Sequence, residues 1–311
     1  MWVKNLPRVV YSIIFAVCIS SSPFAQGDEK EEAEDSIWSA PLIEINNRVY
    51  TRVTILGDEH LFLVDNGCGH TIIGSPLAGK LKFKPQQKIT YVAAYNKGHD
   101  AELGKLESLL IGELELSNAV VRHSSMITTL SRRIKSKISG VIGYSSMKEL
   151  KTTLNFREKC IYFSKFSKAT EGGNVYPVER NAIPITSSNP WNLNQHIFAI
   201  EISLNGKETF AFIDLGYPGS VITTISPREL KLSPHMSMKR TSIEIFGYLG
   251  QARYTKAREI QVGKVHKKNV EVLYFKSSKI PQITILGVEF LKDFCVTFDF
   301  ENNAVVMDPY S

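Results

Sequence analysis

Phe62-Leu63-Val64-Asp65-Asn66-Gly67-Cys68-Gly69-His70-Thr71-Ile72-Ile73 is met again, in the same pattern, as Ala211-Phe212-Ile213-Asp214-Leu215-Gly216-Tyr217-Pro218-Gly219-Ser220-Val221-Ile222. Both stretches read three apolar residues, Asp-x-Gly, three variable positions, then hydroxyl-apolar-apolar. The offset from Asp65 to Asp214 is 149 residues, without a gap. A second pair follows, Gly140-Val141-Ile142-Gly143 and Thr284-Ile285-Leu286-Gly287, at an offset of 144 residues. At that offset Met147 meets Leu291, Leu150 meets Phe294, Thr153 meets Thr297, and Asn155-Phe156 meets Asp299-Phe300. Between the two elements, Leu109-Leu110-Ile111-Gly112 corresponds to Ile260-Gln261-Val262-Gly263. Self-similarity at half the chain length means that one unit is present twice.

The unit is β-rich. His60-Leu61-Phe62-Leu63-Val64 and Thr209-Phe210-Ala211-Phe212-Ile213 have strand length and composition. Leu204-Asn205-Gly206-Lys207 is a turn signal. Helical patterns are short, over Pro76 to Leu81, Ser146 to Lys151 and Pro227 to Leu232. The expected fold is all-β, duplicated and two-lobed, with an interlobe cleft. The lobes are expected at 45–166 and 183–311, joined by a linker at 167–182 that contains Gly172-Gly173 and Pro177.

Lys4 and Arg8 precede an apolar run of 11 residues, Val9 to Ile19, followed by small residues and Pro23 up to Ala25 and Gln26. Residues 1–26 thus read as a secretory leader, too short in its apolar core for a span of about 20 residues. Val17 before Cys18 argues against a lipid anchor, so a secreted or periplasmic protein without stable membrane insertion is expected. Residues 27–44 begin with the acidic run Asp28 to Asp35 and read as a solvated extension.

Of 311 residues, 43% are hydrophobic and 22% charged, which argues against a disordered or low-complexity chain. The net charge of +6 is spread along the chain. Arg132-Arg133-Ile134-Lys135-Ser136-Lys137 reads as a solvated loop, so no nucleic-acid partner is expected. Cys68, Cys160 and Cys295 are an odd set after the leader, leaving a Cys160–Cys295 disulfide open. Neither they nor the seven His show metal-ligand spacing, so no metal or cofactor is expected.

The paired Asp-x-Gly and apolar-apolar-Gly elements resemble those of the bilobal aspartic peptidases, the retropepsin and pepsin group, over about residues 45 to 310. The resemblance implies hydrolysis of a peptide or protein substrate by a catalytic dyad, Asp65 and Asp214. Peptide hydrolysis without a covalent intermediate needs a base to activate water and an acid to protonate the leaving nitrogen. Two close carboxylates cannot both ionise and share a proton, which supplies one of each. With both lobes on one chain, a monomer is sufficient. Asn66, Gly67, Leu215 and Gly216 are expected to support the dyad loops. Activity is expected at acid pH.

The resemblance also implies a flap hairpin over the cleft. Gly98 and Gly247 each lie 33 residues after their Asp, which makes Tyr91, Tyr95, Gly98, Gly247 and Tyr248 the flap or substrate-binding candidates. The chain departs from the family after each Asp. Asn66 and Leu215 stand where Thr or Ser would brace the two loops, and Leu215 can neither donate nor accept through its side chain. Cys68-Gly69 and Tyr217-Pro218 replace the small and hydroxyl residues that follow, with Tyr217 beside the expected cleft. The alternative reading is therefore a peptidase-like protein that binds peptides without cutting them. Cys68 with His70 is a weaker nucleophile-and-base candidate, and Cys68 reads first as a small core filler.

Overall fold

The computed structural model describes residues 11–12, 16–18, 36–93, 98–165, 182–186, 199–232, 240–245, 248–278, 280, 282–300, 302 and 304–310. It is an all-β, two-lobed protein. Tight turns start both lobes. In the first, Leu56 and Gly57 adopt positive φ and join Val49–Ile55 to Asp58–Val64, with Ile55 opposite Asp58. In the second, Asn205 and Gly206 do the same between Ala199–Leu204 and Lys207–Ile213. Positive φ at both turn positions matches the right-handed twist of the flanking strands.

Each lobe closes into a six-stranded barrel. In the first, Val49–Ile55, Asp58–Val64, Gly140–Ile142, Thr71–Gly74, Leu114–Ser124 and Gly98–Ile111 are neighbours in that order. Pairing of Val53 with Ile111 and Thr54 with Leu110 shuts the ring. The second repeats the order with Ala199–Leu204, Lys207–Ile213, Thr284–Leu286, Val221–Thr223, Val265–Phe275 and Tyr248–Val262. It closes where Ser203 meets Gln261 and Leu204 meets Ile260.

A shared sheet joins the lobes. Its strands run Ala182–Thr186, Ala304–Pro309, Phe294–Asp299, Lys151–Asn155, Cys160–Ser164 and Ile37–Pro41. At its centre Thr153 lies opposite its own repeat counterpart, Thr297, and their hydroxyls hydrogen-bond at 2.8 Å. On either side Thr152 faces Phe298 and Leu154 faces Val296. Phe298 is the counterpart of Leu154, and Val296 of Thr152. The strands therefore meet about a local two-fold, as in an isologous dimer interface. One apolar core runs through both barrels and this sheet, including Val53, Ile142, Leu154, Ile213, Val296 and Leu286.

Several expectations need correction. The basic run is only partly a loop: Lys135 to Lys137 are, and Arg132 to Ile134 are not. Arg132 and Arg133 fall in the last turn of the helix Met126–Ile134, which buries Ile127, Leu130 and Ile134 and ends at Lys135 with φ 56°. Cations suit that end of a helix because the peptide dipoles leave it negative. A helix does form at Ser75–Lys80, but Lys151 already belongs to a strand and Pro227 to Leu232 is a hydrogen-bonded turn. The linker at 167–182 falls almost wholly outside the described residues. Among the described residues no helix is long and apolar enough to cross a membrane.

Cys160 and Cys295 are not bonded. Both are in register with Asn155, on the two strands that flank it. Two strand spacings, roughly 10 Å, separate them, beyond the ~7 Å Cα separation that a disulfide spans. Burial also pushes the Cys295 thiol up to about 11, which suppresses its thiolate. Alkylation of the unfolded, unreduced chain is thus expected to count Cys68, Cys160 and Cys295 as free. A gain of thiols on reduction would contradict the register.

Candidate functional site

In each barrel the apolar-apolar-Gly strand runs parallel to the strand that ends in Asp. Ile142 is in register with Val64, and Leu286 with Ile213. The register continues one residue further, where Asp65 N–H donates to the Ile142 carbonyl and Asp214 N–H to that of Leu286, each at 3.0 Å. Tyr144 N–H then donates to the Cys68 carbonyl at 2.7 Å and Val288 N–H to the Tyr217 carbonyl at 2.8 Å. Each Asp loop is thereby tied to the glycine element of its own lobe.

The two loops meet. Asp65 and Asp214 are both without solvent exposure. Oδ1 of Asp65 accepts from Gly67 N–H at 2.9 Å, and Oδ1 of Asp214 from Gly216 N–H at 2.8 Å. A methyl group built on Gly216 would lie 2.7 Å from Oδ2 of Asp65 and 3.0 Å from Oδ1 of Asp214, so one carbon touches carboxylates from both lobes. Each Oδ2 is buried and has no hydrogen-bond partner among the described residues. Burial, then the charge of Asp214, raises Asp65 well above the usual carboxylate range, against the Gly67 and Cys68 amides and Arg48. Burial pushes Asp214 up to about 7, opposed by the amides of Gly216 and Tyr217 and by Arg48. Gly216→Ala forces one carboxylate aside. It is expected to cost about 1–3 kcal/mol in unfolding experiments through overpacking, and any activity of the pair about a hundredfold through misplacement.

Asn66 bridges the lobes by itself. Its Nδ2 donates to the Ile213 carbonyl and its Oδ1 accepts from Leu215 N–H, both at 2.9 Å. One amide serves both a donor and an acceptor of the opposite loop. Leu215 contributes no side-chain bond. It is fully buried in the core that the lobes share.

One expectation about a neighbouring residue changes. Tyr217 does not stand in the space between the lobes. It is buried within the second barrel beside Phe212, Ile222 and Ile285. There is no room for a side chain on Gly219 or Gly287, where an added Cβ would be 2.3 and 2.4 Å from the Tyr217 ring system. Cys68, its repeat counterpart, is likewise buried in the first barrel. Its Sγ donates to the His70 backbone carbonyl at 3.1 Å rather than to an imidazole, as a core filler does.

Hairpins occur in both lobes at the flap candidates. Tyr91 lies in Gln87–Ala93, opposite His99, and Gly98 opens Gly98–Ile111, opposite Val92. Tyr248 opens Tyr248–Val262, opposite Ile245 of Arg240–Ile245. Tyr95 and Gly247 lie outside the described residues. The outer edges of these hairpins carry extended N-terminal segments: Ala16–Cys18 pairs antiparallel with Gln87–Ala93, and Tyr11–Ser12 parallel with Arg240–Ile245. The two cavities described, of about 310 and 360 Å³, are on the second lobe and are lined by neither Asp. Neither carboxylate is open to solvent.

Sequence reasoning passed over Arg48, a buried cation whose charge acts on both carboxylates. The signal was Asn46-Asn47, a two-residue hairpin turn that starts the strand beside Asp65.

No protein-family model matches the chain, and no curated protein matches it.

Proposed function

We propose that this chain is an aspartic-type endopeptidase, acting outside the cytoplasm, that hydrolyses peptide bonds with water activated by Asp65 and Asp214. One observation carries this reading: two duplicated loops bring a buried carboxylate from each lobe against a single methyl-sized volume at Gly216. The Oδ2 atoms, which have no partner among the described residues, are the ones available to a water and to the shared proton. The ionised member takes a proton as water attacks the carbonyl, and the protonated member gives one to the departing nitrogen. The titration belongs to the pair.

Substrate binding is supported by the hairpin edges. They already pair with extended N-terminal segments of the chain, the mode by which a sheet edge takes up a peptide strand. Because the carboxylates are without solvent exposure, cleavage requires the site to open.

The test is a peptide library incubated with the protein, with and without residues 1–26, from pH 3 to 8, with products read by mass spectrometry. Cleavage that disappears in Asp65→Asn and in Asp214→Asn is the expected result. Cleavage that survives either substitution, or is absent throughout, overturns the proposal. Saturable peptide binding without products would favour a binding protein, for which the closed dyad and the apolar Leu215 speak.

A further inference from the structure

Three neighbouring strands of the second barrel carry a row of side chains across their outer face. Arg240 lies opposite Arg253, and Arg253 opposite Tyr274. The next row, Thr241, Ala252 and Phe275, is buried. Side chains alternate between the two faces of a sheet, so the Arg row points away from the core. Gln251, two residues before Arg253, shares its face. Lys276 follows directly on the third strand. Arg240, Gln251, Arg253 and Lys276 are exposed. Together with Tyr274 they line the cavity of about 310 Å³. No acidic residue lines it. Among the described residues, Arg240, Arg253 and Lys276 form no ion pair.

Like charges directly opposite one another destabilise a sheet. The first barrel avoids this at the same place. Leu109 and Ile260 correspond at an offset of 151 residues, and that offset carries Glu102 to Arg253 and His123 to Tyr274. In the first barrel Lys88 lies opposite Glu102, and Glu102 opposite His123. Oε2 of Glu102 is 3.3 Å from Nδ1 of His123, whose Nε2 is 3.0 Å from Oγ of Ser75. The first row is satisfied by its own groups. The second has a cation where the first has its acid, and lacks the negative charge that would balance it.

We propose that Arg240, Arg253 and Lys276, with Tyr274 and Gln251, form a binding site for a phosphate group, free or as a monoester. Two guanidinium groups present planar forks that match phosphate oxygens two at a time. With the Lys276 ammonium they favour a dianion over a single carboxylate. Tyr274 adds a hydroxyl donor. Nε2 of Gln251 donates one hydrogen to Oγ of Ser242 at 2.7 Å and keeps a second for the ligand. The cavity exceeds a phosphate group in size and so has room for the organic part of a monoester. Neither Asp65 nor Asp214 lines it, and the site stands whether or not the chain is a peptidase.

The experiment is thermal unfolding of the full chain at pH 8, where a phosphate monoester is dianionic. Sodium chloride is replaced stepwise by inorganic phosphate, or by O-phosphoserine, at constant ionic strength. A ligand that binds only the folded chain raises Tm in proportion to its saturation, and titration calorimetry at fixed temperature gives the affinity. Arg240→Gln and Arg253→Gln are each expected to lower that affinity about tenfold or more, the worth of a hydrogen bond to a charged group. Lys80→Gln, on the first lobe, is expected to leave it unchanged. Arg253→Lys keeps the charge without the fork and is expected to bind more weakly than the parent. Arg253→Glu copies the first lobe: it is expected to lose the response and, at low salt without phosphate, to unfold at a higher temperature than the parent. Stronger binding of O-phosphoserine supports the monoester as ligand, and equal binding of both supports the free ion. No phosphate-dependent shift, or a shift that survives both Arg→Gln substitutions, overturns the proposal. So does an Arg253→Glu protein no more stable than the parent at low salt, since Arg240 and Arg253 would then not repel.

Discussion

Asp214→Asn is expected to abolish peptide cleavage while making the protein harder to unfold at pH 8. Asp214 is fully buried, and burial pushes it up to about 7 from the ordinary 3.8. A carboxyl raised in the folded state favours folding while protonated, below the unfolded value. That contribution is lost as the pH climbs through about 7. Asn cannot ionise, so the variant escapes the loss. Its amide oxygen can still accept from Gly216 N–H. The gain at pH 8 is on the order of 3 kcal/mol, several degrees in Tm for a chain of this size. At pH 4, where the parent carboxyl is protonated, the gain should be near zero. Asp65→Asn is expected to act in the same direction. Calorimetry at both pH values tests this. A variant less stable than the parent at pH 8 would mean that these carboxylates fold as favourable charges. For the proposed cleavage, the same burial is expected to move the acid limb toward neutrality, above the range of ordinary carboxylates, unlike the acid optimum that the sequence resemblance implies.

Asn66→Ala is expected to cost roughly 2–5 kcal/mol. It removes both bonds between the dyad loops and leaves the Leu215 amide and the Ile213 carbonyl buried without partners. An unsatisfied buried group costs about 1–3 kcal/mol. Asn66→Thr keeps one oxygen able to accept and donate, and should cost markedly less. Urea unfolding of the three proteins decides. A loss below about 0.5 kcal/mol for Asn66→Ala would show that the loops are held together by other means.

Much of this organisation was written in local pattern. The duplicated Asp-x-Gly and Ile/Leu-Gly elements are contiguous, and the strands that carry them are runs of apolar residues with turn residues at their ends. The pairing of Lys151–Asn155 with Phe294–Asp299, Thr153 opposite Thr297, is a finding of the structure that the correspondence alone did not give. The features that escaped depend on what comes together in space. Met126–Ile134 contains Ile and two Thr, which favour strands, and only its burial at positions 127, 130 and 134 makes it a helix. Tyr217 beside an Asp loop reads as an obstruction until the ring is seen folded against Gly219 and Gly287. Leu215 reads as a lost hydroxyl until it is found in the common core. Cys160 and Cys295 suit a disulfide until a strand intervenes.

The two-ended grip of Asn66 shows what covalent tandem linkage makes possible. In an assembly of two identical polypeptides, the position after each Asp would have to hold the same residue type, and each copy would supply half of the brace. Joined in one chain, the halves are free to specialise. One has taken over the whole brace with a longer side chain, and the other has released its position to the oily interior. Division of labour of this kind leaves each half unable to substitute for the other.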